Sequence, residues 1–284
     1  MQVFLECIPC FLKQAVQAVK LATPKKDIQE KALKESLKIL HELNWSSPPP
    51  FVAREIHNTI KVITKNPDPY AVLKQKSNKI ALNLSKEFEK ILLEEPNAFE
   101  IALKLSLAGN MIDFGARPGE DIDIKNEIEN MLKITLNQKE VEFFKEKVYS
   151  AKKILFLGDN AGELVFDKFL IKQIGPEKIT YVVKATPIIN DATMEDAKIT
   201  GLIELVRVID NGGDYPGTVL ENCGKEFLKE FETADLIISK GQGNFETLME
   251  VEKPIFFLFK VKCSVVSQII QKPVGSSVIY FKNA

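Results

Sequence analysis

Histidine occurs only twice in this chain, at His41 and His57, and tryptophan once, at Trp45. A metal centre built from several histidines is therefore excluded within one chain. A serine–histidine–aspartate triad would have to use one of those two. Charge of one sign is also lacking: Lys plus Arg number 38 and Asp plus Glu 39, for a formal net charge of −1. No global positive field is present to draw in nucleic acid or an anionic membrane, so an anionic ligand must be held by a few local groups. Cysteine is sparse, at Cys7, Cys10, Cys223 and Cys263, whereas a secreted disulfide scaffold uses it more densely. No run approaches the roughly 18 apolar residues of a membrane span. The first residues lack the basic start and long apolar stretch of a signal peptide. The expectation is a soluble cytoplasmic protein whose metal, if it has one, is held by oxygen ligands or by the cysteines. With 45% hydrophobic and 27% charged residues in a chain of 284, it can bury a sizeable core as one large domain or two small ones.

The two halves read differently. Residues 1–150 carry helical periodicity. Over 25–43 the apolar positions Ile28, Ala32, Leu33, Leu37 and Leu40 recur at spacings of three and four, which is one face of an amphipathic helix. The pattern returns over 71–93, and further helices are expected over 99–107, 122–132 and 141–151. Residues 46–50 and Asn66-Pro67-Asp68-Pro69 read as breaks. After residue 150 short, almost wholly apolar runs appear at 154–157, 179–183, 203–209, 236–238, 255–259 and 278–281. Helix-length segments separate them. That alternation predicts βαβ units and a sheet covered on both faces. The fold class expected is α/β: a helical N-terminal region packed on a doubly wound, mostly parallel, Rossmann-like sheet. The division falls at 1–150 and 151–284, with the option that the helical part shares one core with the sheet.

Ligands of open parallel sheets sit at the carboxyl ends of the strands. The residues following the first five runs are Gly158-Asp159-Asn160-Ala161-Gly162-Glu163, then Lys184 with Asn190-Asp191-Ala192-Thr193, then Asp210-Asn211-Gly212-Gly213-Asp214, then Lys240-Gly241-Gln242-Gly243-Asn244, then Lys260-Val261-Lys262-Cys263. Asp159 and Asn160 fit an ordinary turn with a helix cap. They equally fit, with Asp191, a hard-cation site of oxygen ligands suited to Mg²⁺ or Mn²⁺. Gly241 and Gly243 precede a helix expected over 245–252. They allow a flexible turn or the close approach of an anion to backbone N–H groups. Their spacing matches neither a dinucleotide fingerprint nor a Walker A loop. Lys260 and Lys262 alternate along a strand end and so point the same way, either to neutralise a phosphate or as solvated lysines.

The pair Cys7-Ile8-Pro9-Cys10 has no second CxxC to complete a four-cysteine zinc site. A redox pair, a disulfide, half a metal site completed by Cys263 or Cys223, and two packed thiols all remain open. His57 reads as structural on a helix and His41 as a surface or capping residue. Asn110 and Asp113 stand between Gly109 and Gly115, where a helix C-cap is the plain reading.

In their order and spacing, these motifs resemble the metal-dependent damage-control phosphatases, a family long catalogued as a domain of unknown function. The resemblance runs from Glu6-Cys7-Ile8-Pro9-Cys10 through Asp68-Pro69-Tyr70, Gly109-Asn110-Met111-Ile112-Asp113, Gly158-Asp159-Asn160 and Asn190-Asp191 to Lys240-Gly241-Gln242-Gly243-Asn244 and Lys260-Val261-Lys262-Cys263. It implies hydrolysis of phosphate monoesters of sugars or damaged phospho-metabolites. It also implies dependence on Mn²⁺, Ni²⁺, Co²⁺ or Mg²⁺ held by Asp159, Asn160 and Asp191. The N-terminal CxxC resembles the mark of one subgroup. The Arg-Thr-x-Lys motif of another is missing, since that region reads Phe259-Lys260-Val261-Lys262. Under this resemblance the metal orients a phosphate oxygen and the attacking group, which is water or the Asp159 carboxylate. Lys240, Lys260, Lys262 and the amides around Gly241, Gly243 and Asn244 hold the other oxygens, and Asn110 and Asp113 contact the substrate. The expected partner is a small phosphorylated metabolite, with neither nucleic acid nor membrane. A non-catalytic metabolite sensor and a small-molecule transferase are the alternatives on the same platform.

Overall fold

The computed structural model describes residues 1–94, 96–110 and 124–283. Among these, seven helices precede the first strand: α1 (Cys7–Ala22), α2 (Lys26–His41), α3 (Pro49–Thr64), α4 (Ala71–Glu94), α5 (Ala98–Gly109), α6 (Ile124–Lys133) and α7 (Gln138–Ser150). Strands and helices then alternate: β1 (Ile154–Leu157), α8 (Glu163–Ile174), β2 (Ile179–Val183), α9 (Met194–Ile199), β3 (Arg207–Asp210), α10 (Lys225–Thr233), β4 (Leu236–Lys240), α11 (Gln242–Leu248), β5 (Ile255–Lys260), α12 (Ser264–Ile270) and β6 (Ser277–Lys282). Asp113 lies outside the described residues. None of the described helices is long and apolar enough to cross a membrane.

The sheet has the order β3-β2-β1-β4-β5-β6, with the first five strands parallel and β6 antiparallel to β5. This is the doubly wound α/β fold expected from the alternation of apolar runs. Strand order reverses at β1, whose neighbours are β2 and β4. Leu157 at the end of β1 is level with Val182 on one side and Ser239 on the other. The loops leaving β1 and β4 therefore rise side by side at the switch point, where such sheets open a crevice.

Residues of the strands alternate between two cores. Ile154, Phe156, Tyr181, Ile238, Phe256 and Leu258 face one core with Phe144 of α7, Phe166 of α8 and Leu103 of α5. Leu155, Leu157, Ile237, Phe257 and Phe259 face the other with Phe227 and Phe231 of α10 and Phe245 of α11. The period of two puts successive side chains on opposite faces, and both faces are covered, so apolar residues fill both positions. Helices α4–α7 thus belong to the sheet's own core. A third cluster joins α1, α2 and α3 through Phe11, Ala15, Ala32, Ile56 and Ile60, with Tyr70 beside them. His57 is buried in this third layer, as a structural histidine should be. Burial, then the nearby Lys61 charge, pushes its pKa from 6.5 down to about 3.

Three expected boundaries differ. The run 203–209 is not one strand: Leu202–Glu204 forms a 3₁₀ turn and only Arg207–Asp210 pairs with β2. Pro49 and Pro50 are not part of a break but begin α3, where a missing N–H costs nothing because first-turn donors have no helical partner. Helix α11 starts at Gln242 rather than Phe245, so Gly243 and Asn244 sit inside its first turn.

Candidate active site

Asp159 and Asn160 leave the end of β1, and Asp191 lies in the loop between β2 and α9. Backbone bonds join the two loops. Asn160 and Asp191 form an isolated antiparallel bridge, with Ala192 N donating to Asp159 O at 2.8 Å and Ala161 N to Asn190 O at 2.9 Å. The three residues assigned to a cation from the sequence are thereby neighbours. Asn160 and Asp191 are buried, and Asp159 is half-buried. Ile189, just before Asn190, holds φ at 46°. A β-branched residue in the left-handed region is strained, and such strain gathers at functional loops.

The amides are oriented from below. Asn110 Nδ2 and Asn160 Nδ2 each donate to Asp159 Oδ2 at 2.8 Å. Both amides also donate to Glu163, from Asn110 at 3.1 Å and from Asn160 at 3.3 Å. With its NH₂ turned toward these carboxylates, Asn160 presents its Oδ1 on the opposite side. Glu163 in turn bonds Lys240 Nζ, which also reaches Asp167 Oδ1 at 2.7 Å and Ser106 O at 2.9 Å. Tyr181 OH donates to Asp167 Oδ2 at 2.8 Å. Lys240, Glu163 and Asp167 have no exposed side-chain surface. Burial pushes Asp167 upward from 3.8 against the pull of the Lys240 charge. On the other side, Lys184 Nζ donates to Gly217 O at 2.6 Å and lies 3.6 Å from Asp191 Oδ2.

Several residues expected to touch substrate are placed otherwise. Lys240 is fully buried and committed to two carboxylates, so its ammonium faces into the fold. Asn110 is fully buried; its NH₂ holds Asp159 and Glu163, and its Oδ1 accepts from Lys260 N at 3.3 Å. Asn244 accepts from Thr218 Oγ1 at 2.8 Å and donates to Lys240 O at 2.8 Å. The two glycines serve close approach. A Cβ on Gly241, at φ +83°, would stand 2.2 Å from Asp159 Cγ, and one on Gly243 would stand 2.3 Å from Pro216 O. Gly241 thus lets Asp159 lie over the end of β4, and Gly243 admits the loop after β3. Lys260 ends β5, whereas Lys262 lies beyond it and is exposed. Cys7 and Cys10 begin α1 and bond neither Asp159, Asn160 nor Asp191. Gly241→Ala is expected to lower kcat/KM by about a hundredfold through displacement of Asp159, with a stability cost of about 1–3 kcal/mol from backbone strain. Steady-state kinetics and a denaturant melt on one preparation check both.

The helical layers brace these loops. Arg54 and Asn58 of α3 both bond Asp214, and Arg54 lies 4.6 Å over the Tyr215 ring. Lys61 Nζ bonds Pro187 O in the loop leading to Asp191. Asn78 of α4 accepts from Gly162 N at 2.7 Å and donates to Asp196 at 2.8 Å. Lys74 pairs with Asp68 at 2.8 Å and Asp196 at 3.5 Å. Glu163 and Lys184 were visible in the strand-end motifs but not singled out from the sequence. The signal for Lys184 was a charged residue set directly after an apolar run, whereas Glu163 opens α8 beyond the β1 loop.

A divalent cation fits this donor set on chemical grounds. Asp159, Asp191, Glu163 and Asp167 face Lys184 and Lys240, which leaves a surplus of two negative charges on that set. The candidate donors would be two carboxylates and an amide oxygen, which is the kind of set that hard cations prefer. Among the described residues no three His, Cys, Asp or Glu side chains form a metal-holding group; this set reaches three only by counting the Asn160 amide.

Comparison with known proteins agrees with the motifs. The model for the damage-control phosphatase ARMT1-like domain matches residues 3–278, and the chain belongs to that family. It is 37% identical over 283 residues to a damage-control phosphatase of Pyrococcus horikoshii, covering 98% of this chain and 97% of that protein. It is 34% identical over 284 residues to a damage-control phosphatase of Archaeoglobus fulgidus, covering 96% of each. An uncharacterized protein of Methanocaldococcus jannaschii is 39% identical over 286 residues, covering 96% of this chain and 93% of that one. The crystal structure of a DUF89 family protein from Pyrococcus horikoshii superposes with a TM-score of 0.89 at 36% identity, over 100% of both chains.

Proposed function

We propose that this chain is a metal-dependent phosphatase that hydrolyses phosphate monoesters of small metabolites, in the control of metabolite damage. The observation that carries this reading is the pairing of Asp159, Asn160 and Asp191 across one backbone bridge at the sheet's switch point, in a charge set two units short of neutrality. Family membership and two relatives named damage-control phosphatases support the reaction class.

Asp159, the Asn160 Oδ1 and Asp191 are the groups that would hold the ion: Mn²⁺, Ni²⁺, Co²⁺ or Mg²⁺. A divalent cation there supplies Lewis-acid polarisation of a phosphoryl oxygen and offsets charge that builds on the transferred group. The chain's own part is to hold geometry. Asn110 and Asn160 fix Asp159 Oδ2, and Glu163 fixes the rotation of both amides. Lys184 balances the charge of Asp191 from behind. Lys260 and Lys262 remain as the cationic groups for the phosphate, since Lys240 is committed to the buried network. The helical segment 1–150 closes the substrate side, and 151–284 carries the metal and phosphate side. The sparse use of cysteine supports a cytoplasmic setting.

Treatment with a chelator is expected to abolish hydrolysis of a generic phosphate ester such as p-nitrophenyl phosphate. Adding back one of the four ions should restore it. Binding of phosphate compounds without release of phosphate under any of the four would favour the sensor alternative and sink the phosphatase reading.

A further inference from the structure

Three of the four thiols gather at one place from opposite ends of the chain. Cys7 and Cys10 lie in the first turn of α1, and Cys263 caps α12. Each sulfur accepts an N–H at 3.5 Å: Cys7 from Phe4 N, Cys10 from Gln14 Nε2, and Cys263 from both Val266 N and Gln242 Nε2. Gln242 also donates to Glu246 Oε1 at 2.8 Å, so one amide side chain links the thiol of Cys263 to that carboxylate. Cys7 and Cys10 are both within the electrostatic reach of Glu246 and Cys263. Cys223 is held elsewhere, donating to Val219 O at 3.2 Å.

We infer that Cys7 and Cys10 form a thiol–disulfide site acting on a low-molecular-weight disulfide. The inference goes beyond the phosphatase reading and stands apart from it, since no phosphate enters any step. Cys10 is exposed and Cys7 half-buried, which makes Cys10 the sulfur that meets the reagent. Its thiolate attacks one sulfur of R–S–S–R, forming a mixed disulfide and releasing R–S⁻. Cys7 then attacks the Cys10 sulfur and releases the second R–S⁻. Two protein thiols are oxidised to one disulfide, the reagent is reduced to two thiols, and the two protein protons end on the leaving groups.

The position suits that chemistry. The start of a sixteen-residue helix favours thiolate. Partial burial, and next the charge of Glu246, pull the other way and raise both thiols. Residues three apart on a helix have Cβ atoms about 5–6 Å apart, and a disulfide needs about 3.5–4.5 Å, so closure tightens this turn by roughly an ångström. The bonds at stake in this turn are few, since Cys7 N and Ile8 N donate to Phe4 O and Leu5 O ahead of the helix and Pro9 has no N–H to lose.

The test uses the reduced full chain and oxidised glutathione. The expected product is two hydrogen atoms lighter, with one bond joining Cys7 to Cys10 on a peptide map and Cys223 still open to alkylation. Cys7→Ser should retain glutathione on Cys10, and Cys10→Ser should take up little on Cys7. A mixed disulfide that persists on Cys10 in the unaltered chain, or a bond to Cys263 or Cys223 instead, would overturn the site.

Discussion

Asp159→Ala is expected to lower metal-dependent kcat/KM by roughly a thousandfold or more, equivalent to several kcal/mol of lost transition-state stabilisation. Two losses combine. The cation set loses one of its two carboxylates, and Asn110 and Asn160 lose the oxygen that both amides grip at 2.8 Å. The fold should not suffer in proportion. Asp159 adds a negative charge to a cluster already holding Glu163, Asp167 and Asp191, and in the absence of a cation its removal relieves repulsion. The melting temperature of the metal-free variant should therefore equal or exceed that of the unaltered protein, as happens when a strained functional group is removed. Kinetics across a metal titration, with thermal melts on the same samples, separate the two effects. Hydrolysis at full rate with Ala at position 159 would remove this residue from the reaction altogether.

Lys240→Met should produce the opposite signature, a fold lost before any chemistry is tested. The Lys240 ammonium is the sole cation bonded to both Glu163 and Asp167 among the described residues, and all three side chains are inaccessible to solvent. Removing one partner of a buried ion network leaves uncompensated charge and costs about 3–5 kcal/mol. The loss should depend on pH, with a defined sign. Burial already holds the Asp167 carboxyl above its ordinary 3.8, and without the lysine it rises further. The variant then binds protons in the folded state that the unfolded chain at the same pH does not. Its deficit should shrink as pH falls toward the acid range and grow toward neutrality. Denaturant melts at several pH values read this directly. A deficit below about 1 kcal/mol, flat with pH, would mean the network carries no such burden.

How much of this was legible in the sequence depends on the range of the interaction. The centre of the sheet was legible because its strands announce themselves locally: Ile154-Leu155-Phe156-Leu157 is apolar at both parities, as a strand covered on both faces requires, whereas β3, Arg207–Asp210, carries charge at both ends and was misplaced. Asp159, Asn160 and Asp191 were legible because parallel sheets put chemistry at strand ends. Lys240 was misassigned for a physical reason. It stands at a strand end like a ligand residue, but its partner Asp167 is 73 positions earlier, inside α8, and no local pattern distinguishes a lysine that points inward. Asn110 was similar: its strand-end partner lies 49 positions away. Gly243 suggested an anion loop, yet its constraint is the carbonyl of Pro216, a contact between two loops that spacing along one of them does not encode. The start of α3 was hidden by its prolines, which serve equally as breaks or as first-turn residues.

The bridge between Asn160 and Asp191 has a consequence for how this protein tolerates change. Because the bonds run through backbone atoms, a side-chain replacement at Asn190 or Ala192 leaves the two loops aligned. A change of length is another matter. Adding or deleting one residue between β2 and α9 shifts the pairing by one, and Asn190 or Ala192 would then stand where Asp191 does now. The acid would turn to the other side of the strand while the chain still folded. The stretch from Lys184 to Thr193 should therefore behave as a fixed ruler in this molecule, open to a change of side chain at Asn190 but closed to insertions and deletions.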